Sequence, residues 1–323
     1  KRKRYALSFV LVGNTIKNSE NGGIKNDTLL SDPNKKKRFS IPVNLGNASL
    51  FAPNPFNATV NTGNINKDVT YFIRQTYDIG KNDSVAVNDS TTEYLFYPKL
   101  RLQHSFSYSS YSYLFIDNSA DSAIYKNWYD TTLKAPTVDT FSVHEKWKVI
   151  SNDFSLLQFP DTKNSAQFLL AGAKLENIKG EFYRLNGIET KNFYNIILHG
   201  EYRNKTRNKL WDVIAKGEFY LNGLNSGDYN AFATINRYLN KKLGDVKLFF
   251  TNVNRTPSFI YNSFSSFNFK NAGITKKENI ISFGAEAANP FINLGVKNYI
   301  ITNLAYFSDY YHTIQSSKVI NLL

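Results

Sequence analysis

The sequence predicts an all-β fold, an antiparallel up-and-down transmembrane β-barrel. The clearest segment is Trp211–Leu221, in which successive residues alternate between an apolar and a polar face. This period-2 alternation is that of a β-strand with one face in an apolar medium and the other in water. Lysine and glutamate occupy the polar face, and an aromatic residue begins the segment. This combination is typical of strands that cross an outer membrane.

Composition agrees with this fold class without proving it. The sequence contains no apolar run long enough for a membrane-spanning helix. A barrel strand needs only every second residue to be apolar, so 42% hydrophobic residues are enough for it. The 25 Phe, 21 Tyr and 3 Trp could cover a lipid band and form girdles at its edges. They would also suit an aromatic-rich, soluble β-sandwich that binds glycans, so both architectures stay open on composition alone.

About twelve strands are predicted in a single domain over residues 1–323, either a whole barrel or a large portion of a larger one. The predicted strands are Arg4–Gly13, Val69–Ile79, Pro98–Tyr108, Trp147–Leu157, Gln167–Phe182, Phe193–Arg203, Trp211–Leu221, Asp228–Leu239, Gly244–Val253, Asn279–Ala288, Phe291–Thr302 and a last one from about Asn303.

The predicted connections alternate in length, as in an up-and-down barrel. Long loops are expected at 14–68, 109–146 and 254–278, all on one face, and a short helix from Ser119 to Leu133 lies in the second. The links at the opposite end, 204–210, 240–243 and 289–290, are tight and have turn composition. The link 80–97 is the exception, because it is long on the short-turn side.

The alternation also assigns side chains to the two surfaces of the barrel wall. Residues expected to line the lumen are Arg74, Arg101, His199, Glu201, Lys216, Glu218, Lys247, Glu286 and Lys297. Residues expected to face lipid are Trp211, Val213, Phe219, Ile196, Leu198, Leu248 and Phe250. A slight cationic excess around a water-filled lumen would favour anions. Alternatively, the charges pair across the wall or against an inward-folded loop and close the lumen.

No pattern for covalent, metal or cofactor chemistry occurs in the sequence. There is no cysteine, and the four histidines (His104, His144, His199 and His312) have no metal-ligand spacing. We therefore predict no enzymatic activity, no metal and no cofactor. The net charge of +13 admits phosphate-bearing partners. Cations and aromatics lie mostly on opposite strand faces, which argues against nucleic acid, whereas the run Lys35–Arg38 is either solvated surface or a contact for lipopolysaccharide phosphates.

Three functions follow from these architectures. The first is a passive pore for small solutes, and the second is a non-conducting barrel that docks partners through its long loops. The third is the soluble glycan-binding sandwich. A barrel would contact outer-membrane lipid and lipopolysaccharide and could form a homo-oligomer or bind other envelope proteins.

Several segments resemble the putative porin family of Bacteroidota outer membranes: Arg4–Gly23, Asn54–Gly80, Tyr97–Tyr108, Phe193–Leu239 and Tyr306–His312. The resemblance implies an outer-membrane β-barrel with a channel role, exported by a signal peptide that this sequence does not contain. It brings no functional residues to carry over. Members are longer and end in an aromatic residue, whereas this sequence ends in Asn-Leu-Leu, so we expect an internal portion of a longer chain.

If the source belongs to that phylum, five triplets resemble its O-glycosylation sites, all in predicted loops. They are Asp27-Thr28-Leu29, Asp83-Ser84-Val85, Asp89-Ser90-Thr91, Asp121-Ser122-Ala123 and Asp130-Thr131-Thr132.

Overall fold

The computed structural model describes residues 4–20, 22–24, 26–31, 33, 62–88, 91–118, 120, 140–184, 187–266, 274–308 and 313–323. Fourteen strands occur in these ranges. They are β1 (Tyr5–Ser19), β2 (Thr62–Asn88), β3 (Thr91–Asp117), β4 (Phe141–Gln158), β5 (Gln167–Arg184), β6 (Gly187–Lys205), β7 (Trp211–Gly223), β8 (Tyr229–Asn240), β9 (Gly244–Arg255), β10 (Glu278–Ala288), β11 (Asn293–Thr302), β12 (Ala305–Phe307), β13 (Thr313–Gln315) and β14 (Ile320–Leu322).

Twelve of these strands form one antiparallel sheet in the order β1 to β11, followed by β14. Every neighbour in the sheet is also the next strand along the chain, apart from the last pair, so the chain runs up and down across the sheet. Within the described residues the sheet is open, with β1 at one edge and β14 at the other. The all-β, antiparallel, twelve-stranded prediction is confirmed. The alternative of a sandwich is wrong, because the long strands form one sheet rather than two that pack face to face.

For ten of the first eleven predicted strands, the observed strand contains every predicted residue or all but one at an end. The predicted loops, in contrast, are too long. The range 14–68 is a loop only from 20, because β1 continues to Ser19, and β2 begins at Thr62. The range 109–146 shrinks in the same way, since β3 reaches Asp117 and β4 starts at Phe141. The range 254–278 is nearly right, between Arg255 and Glu278. The predictions stopped where alternation stops, but backbone pairing continues beyond the apolar part of a strand.

The exception at 80–97 disappears for the same reason. Strand β2 extends to Asn88 and β3 begins at Thr91, so these two strands continue as a hairpin past a bulge at Ile79/Gly80. All connections at this end are therefore short: 89–90, 159–166, 206–210, 241–243 and 289–292. The three long connections between neighbouring strands, 20–61, 118–140 and 256–277, begin and end at the opposite end, which we call the long-loop end.

The last predicted strand is wrong as a single element. Asn303 has a positive φ of 55°, a conformation that asparagine adopts more readily than most residues, and it ends β11. The chain then forms β12 and β13, which pair only with each other, before β14 returns to the sheet beside β11.

Two smaller predictions also need comment. Asp83-Ser84-Val85 lies in β2 rather than in a loop, and Asp27 to Leu29 lies in a 3-10 helix spanning Asp27–Leu30. The basic run Lys35–Arg38, the triplets beginning at Asp121 and Asp130, and His312 lie outside the described residues, as do most of the predicted helix and the first two residues of the Asp89 triplet. No helix in the described part of the chain is long and apolar enough to cross a membrane.

Candidate functional site

The register divides the side chains of the sheet into two faces. Cross-strand partners share a face, and successive residues alternate between faces. All nine side chains predicted to line the lumen lie on one face, through pairings such as Asp78↔Arg101, His199↔Glu218 and Lys247↔Glu286. All seven predicted to contact lipid lie on the other, through pairings such as Leu198↔Phe219 and Ile235↔Leu248. We call these surfaces the polar face and the apolar face.

The apolar face is exposed and nearly free of charge in its middle. Leu198 is 46% exposed, Leu248 52% and Phe250 44%, with no second layer over them in the described residues. On β1–β11, outside the β2–β3 hairpin extension at 80–99, charged side chains of this face occur only near its two ends. They are Lys17, Lys67, Lys146, Lys148, Lys179 and Glu181 at the long-loop end and Arg237 at the short-turn end. An exposed apolar surface of this extent marks a contact with membrane or protein.

Aromatic side chains border the uncharged band. At the long-loop side, Tyr71 packs against Tyr108 with ring centroids 6.2 Å apart, and Tyr194 and Tyr229 occupy the same side on later strands. At the short-turn side, Tyr5 pairs with Tyr77, and the Arg237 guanidinium lies 4.6 Å from the Trp211 ring. Ten residue steps along β7, at about 3.3 Å each and a tilt of roughly 40°, span about 25 Å, the height of a barrel's lipid band.

On the polar face, most of the predicted charges form ion pairs between neighbouring strands. Arg101 donates to both oxygens of Asp78 at 2.6 and 2.9 Å. Lys216 lies 3.1 Å from Glu201, and Lys247 lies 3.0 Å from Glu286. The pairs follow from the register, because each cation is directly opposite its carboxylate. These pairs place positive and negative charges side by side on the polar face, so the surface is not of a single sign.

His199 belongs to a small polar cluster that the sequence alone did not assemble. Its Nε2 lies 3.1 Å from Asp153 Oδ1, and the Ser155 hydroxyl donates to the same oxygen at 2.7 Å. Gly172 faces both His199 and Ser155 across the ladder, and a Cβ there would lie 2.6 Å from the imidazole. Glycine at this position therefore lets the imidazole reach Asp153.

Three of the predicted lumen residues form no ion pair among the described residues: Arg74, Glu218 and Lys297. Arg74 donates to Ser105 Oγ at 3.4 Å and lies 5.1 Å from the Phe72 ring. The Lys297 ammonium lies over the rings of Phe249 and Tyr299, at 5.5 and 4.6 Å. Among the nine predicted lumen residues, two cationic groups and one carboxylate therefore have no compensating charge in the described part of the chain.

A segment of the β9–β10 connection covers the polar face at the long-loop end. We call residues 256–266 the strap. The Phe259 ring lies 4.6 Å from Trp147, 5.5 Å from Phe182 and 6.1 Å from Phe193, all polar-face residues of β4, β5 and β6. The strap therefore reaches from β9 to β4, five strand spacings of about 4.8 Å each, or roughly 24 Å along the sheet.

The far end of the strap is anchored by a buried carboxylate and an arginine. Glu145 on β4 accepts from Ser265 Oγ at 2.9 Å and from the Ser266 amide at 2.6 Å. Arg184 on β5 donates to the carbonyl oxygens of Ser265 and Phe264 at 2.8 and 2.7 Å. Both anchors are charge-assisted, and such hydrogen bonds are stronger than neutral ones.

The middle of the strap is braced from the other side. The Tyr261 hydroxyl donates to the Ala305 carbonyl at 3.3 Å, and its ring lies 5.2 Å from Phe307 in β12. Burial raises the pKa of Tyr261 above its ordinary value, and its hydroxyl is protonated at neutral pH in either case. Between the strap and the sheet is a cavity of about 420 Å³, lined mainly by Trp147, Val149, Ile178, Phe259 and Tyr261. The strap is thus a packed element and not a loose loop.

Sequence reasoning found the charged strand positions but missed the strap and its anchors. The alternation rule, applied to three further carboxylates, predicts their position on the polar face: Asp78, Asp153 and Glu145. The strap has a weaker signal, the aromatic run around Phe259 and Tyr261 inside a predicted loop. An apolar cluster in a loop usually packs against something, but the sequence does not say against which strands.

The described residues contain no group of three or more histidine, aspartate or glutamate side chains placed to hold a metal ion. His104 lies on the apolar face, stacked on Phe154 at 4.3 Å, and its Nε2 has no hydrogen-bond partner there. His144 stacks on Tyr183 at 4.0 Å on the apolar face, whereas His199 lies on the polar face.

One long up-and-down antiparallel sheet, with an exposed apolar band bordered by aromatics on one face and ion pairs on the other, defines the class of transmembrane β-barrels of the outer-membrane type. The comparison with known families agrees. The family described as "Putative porin" matches residues 1–323, and the chain belongs to it. It is therefore a porin-like outer-membrane β-barrel. No curated protein matches the chain.

Proposed function

We propose that the polar face lines a water-filled channel through which small polar solutes diffuse passively. The observation that supports this most is the separation of charge: on the described strands, nearly all carboxylates lie on the polar face, opposite a band that suits hydrocarbon. Ion pairs such as Lys216–Glu201 and Lys247–Glu286 keep this face hydrated without a large net charge. Passage through such a lumen needs no cofactor and no covalent step.

The balance of unpaired charges predicts the ion preference of the channel. Among the nine predicted lumen residues, Arg74 and Lys297 are cations without an ion pair and Glu218 is a carboxylate without one. Asp68 and Asp245 are two further polar-face carboxylates without an ion pair among the described residues, so the described part of the face has no cationic excess. Fixed charges at a water-filled wall attract counter-ions and repel co-ions. The described part of the face therefore predicts no preference for anions in the unmodified protein.

Single-channel recording of the full-length protein in planar bilayers tests the proposal. Ohmic conductance steps that scale with salt concentration are expected. An intact, correctly folded protein that never conducts, alone or with the strap released as described below, would refute a channel.

The double variant Arg74→Glu/Lys297→Glu tests which face is the lumen. It changes the charge of the polar face by −4, so the anion-to-cation permeability ratio, measured from reversal potentials in a salt gradient, should fall below one. The matched control Lys17→Glu/Lys67→Glu makes the same change on the apolar face, near its long-loop end, and should leave the ratio within about 20% of that of the unmodified protein. Equal shifts in both variants would contradict the assignment of the lumen to the polar face.

A second candidate is a non-conducting barrel that acts as a docking platform. The strap favours it, because it crosses roughly half of the described strands and packs on β12. A barrel of this kind would show no conductance either with the strap in place or with the strap released, and this outcome separates the two functions.

A further inference from the structure

The apolar face has a strongly asymmetric charge distribution. Five lysines lie on it at the long-loop end: Lys17, Lys67, Lys146, Lys148 and Lys179, which we call the lysine belt. One carboxylate, Glu181, lies among them, so the local excess is 5 − 1 = +4. At the short-turn end, the corresponding strand positions carry a single cation, Arg237, which stacks on Trp211.

The belt begins directly beyond the aromatic border. In the row of paired residues that contains Tyr71 and Tyr108, β4 contributes Ile150. Two residues further along β4 is Lys148, and four further is Lys146, which is level with Ser112 on β3 and with Lys67 on β2. At about 3.3 Å per residue, Lys148, Lys146 and Lys67 lie roughly 7–13 Å beyond the tyrosine row along the strands, and Lys17, six residues beyond Leu11 of that row, lies roughly 20 Å beyond it. Lipid headgroups lie at the depth of the first three lysines when the apolar band occupies the hydrocarbon.

The lysines differ in how far they are neutralised. Lys148 and Lys179 share Glu181, at 3.0 and 3.3 Å. Lys17, Lys67 and Lys146 form no ion pair with any described residue, and Lys146 lies 5.2 Å from the Tyr183 ring. Three ammonium groups in this belt therefore have no carboxylate partner within the part of the chain that the structure describes.

A hollow of about 380 Å³ lies between two of these three lysines. Lys67 on β2 and Lys146 on β4 form its sides, while β3 between them contributes the short side chains of Ser110 and Ser112. His144 also lines the hollow, with its Nε2 3.1 Å from Ser112 Oγ. The remaining lining is aliphatic: Ile65, Val69 and Leu114. Two ammonium groups, hydroxyls and an imidazole suit a phosphate, and the aliphatic side chains suit the carbon skeleton to which it is attached.

We propose that the lysine belt binds phosphate groups of membrane lipids in the leaflet at the long-loop end, with the hollow between Lys67 and Lys146 as the principal site. The acyl chains of the same lipid lie against the apolar band below it, and the lysine stems extend along this surface. The site lies on the outside of the wall and does not depend on whether the barrel conducts.

The test is a binding measurement on the full-length protein in phosphatidylcholine nanodiscs. The probe is a fluorescent lipid A with both of its phosphates, compared with the same lipid after enzymatic removal of the phosphates. The unmodified protein should bind the phosphorylated probe at least tenfold more tightly. Lys67→Gln/Lys146→Gln should lose most of this difference, because Gln shortens the stem little and removes the charge.

The matched control is Lys209→Gln/Lys242→Gln, which removes two lysines from turns at the short-turn end. Its affinity should stay within twofold of that of the unmodified protein. Lys67→Arg/Lys146→Arg should retain tight binding, and the mobility difference between folded and boiled protein on a gel checks that each variant is folded.

Three results would overturn the proposal. One is equal binding of the two probes by the unmodified protein. Another is an equal loss in the short-turn control. The third is displacement of the probe by millimolar inorganic phosphate at constant ionic strength, because this would identify a free anion as the ligand instead of a lipid.

Discussion

Phe250→Arg is expected to destabilise the inserted barrel by about 2–4 kcal/mol, the cost of a cation near the middle of the lipid face of such a protein. Phe250 lies in the middle of β9, on the apolar face, opposite Ala233 and Phe283. The substitution removes an aromatic ring from hydrocarbon and puts a guanidinium there, several residues from either end of the strand. Snorkelling to the headgroups cannot fully relieve this.

The neighbouring residue supplies the control. Thr251 lies on the polar face, opposite Phe232 and Ser282, so Thr251→Arg places the same side chain on the polar face. Its effect on stability should stay below about 1 kcal/mol, as for most substitutions at wetted surfaces. Both variants are measured by reversible folding of the full-length protein into lipid vesicles over a denaturant series. If the two losses were equal, or the larger one belonged to Thr251→Arg, the assignment of the faces would be wrong.

Glu145→Ala/Arg184→Ala is expected to at least double the single-channel conductance, or to open a barrel that is silent without it. The two side chains make four hydrogen bonds to the end of the strap. Hydrogen bonds to charged groups contribute roughly 1.5–3 kcal/mol each, so their joint loss weakens the attachment of residues 264–266 to the sheet. The hydrogen bond from Ser266 Oγ to the His144 carbonyl (3.1 Å) and the Lys191–Phe264 contact (4.6 Å) remain. The Phe259 contacts near the middle remain, and the strap should move without unfolding the sheet.

Lys148→Ala/Glu181→Ala is the control for the strap variant. It removes one cation and one carboxylate from the same two strands, β4 and β5, but on the apolar face. Its conductance should match that of the unmodified protein. An unchanged conductance in the strap variant, with correct folding on a gel, would mean that the strap does not limit passage.

Much of the sheet could be predicted because lipid and water impose a pattern on nearly every strand. Trp211–Leu221 and Asn279–Ala288 were found within two residues at either end, since their alternation extends over almost their whole length. The ends of β2 and β3 were not found, because residues such as Asp83 and Ser110 lie outside the apolar band, where neither face has to be apolar.

The candidate site was also predictable only where local alternation determines the position of a residue. The face of each predicted lumen residue follows from local alternation, so all nine lie together. The partner of each depends on register between strands, which the sequence does not state, and Asp153 beside His199 was missed for this reason. The strap depends on contacts between residues more than a hundred positions apart, such as Glu145 and Ser265. No local pattern encodes these contacts.

Strands β2 and β3 are supported by neighbouring strands over only part of their length. Up to Tyr77 and Leu100, β2 is flanked by β1 and β3 is flanked by β4. Beyond the bulge at Ile79/Gly80, the two pair only with each other among the described residues. An isolated two-stranded ribbon in water is marginally stable. The same two strands are therefore stiff where the sheet holds them from both sides, and compliant over the arm that projects past the short turns.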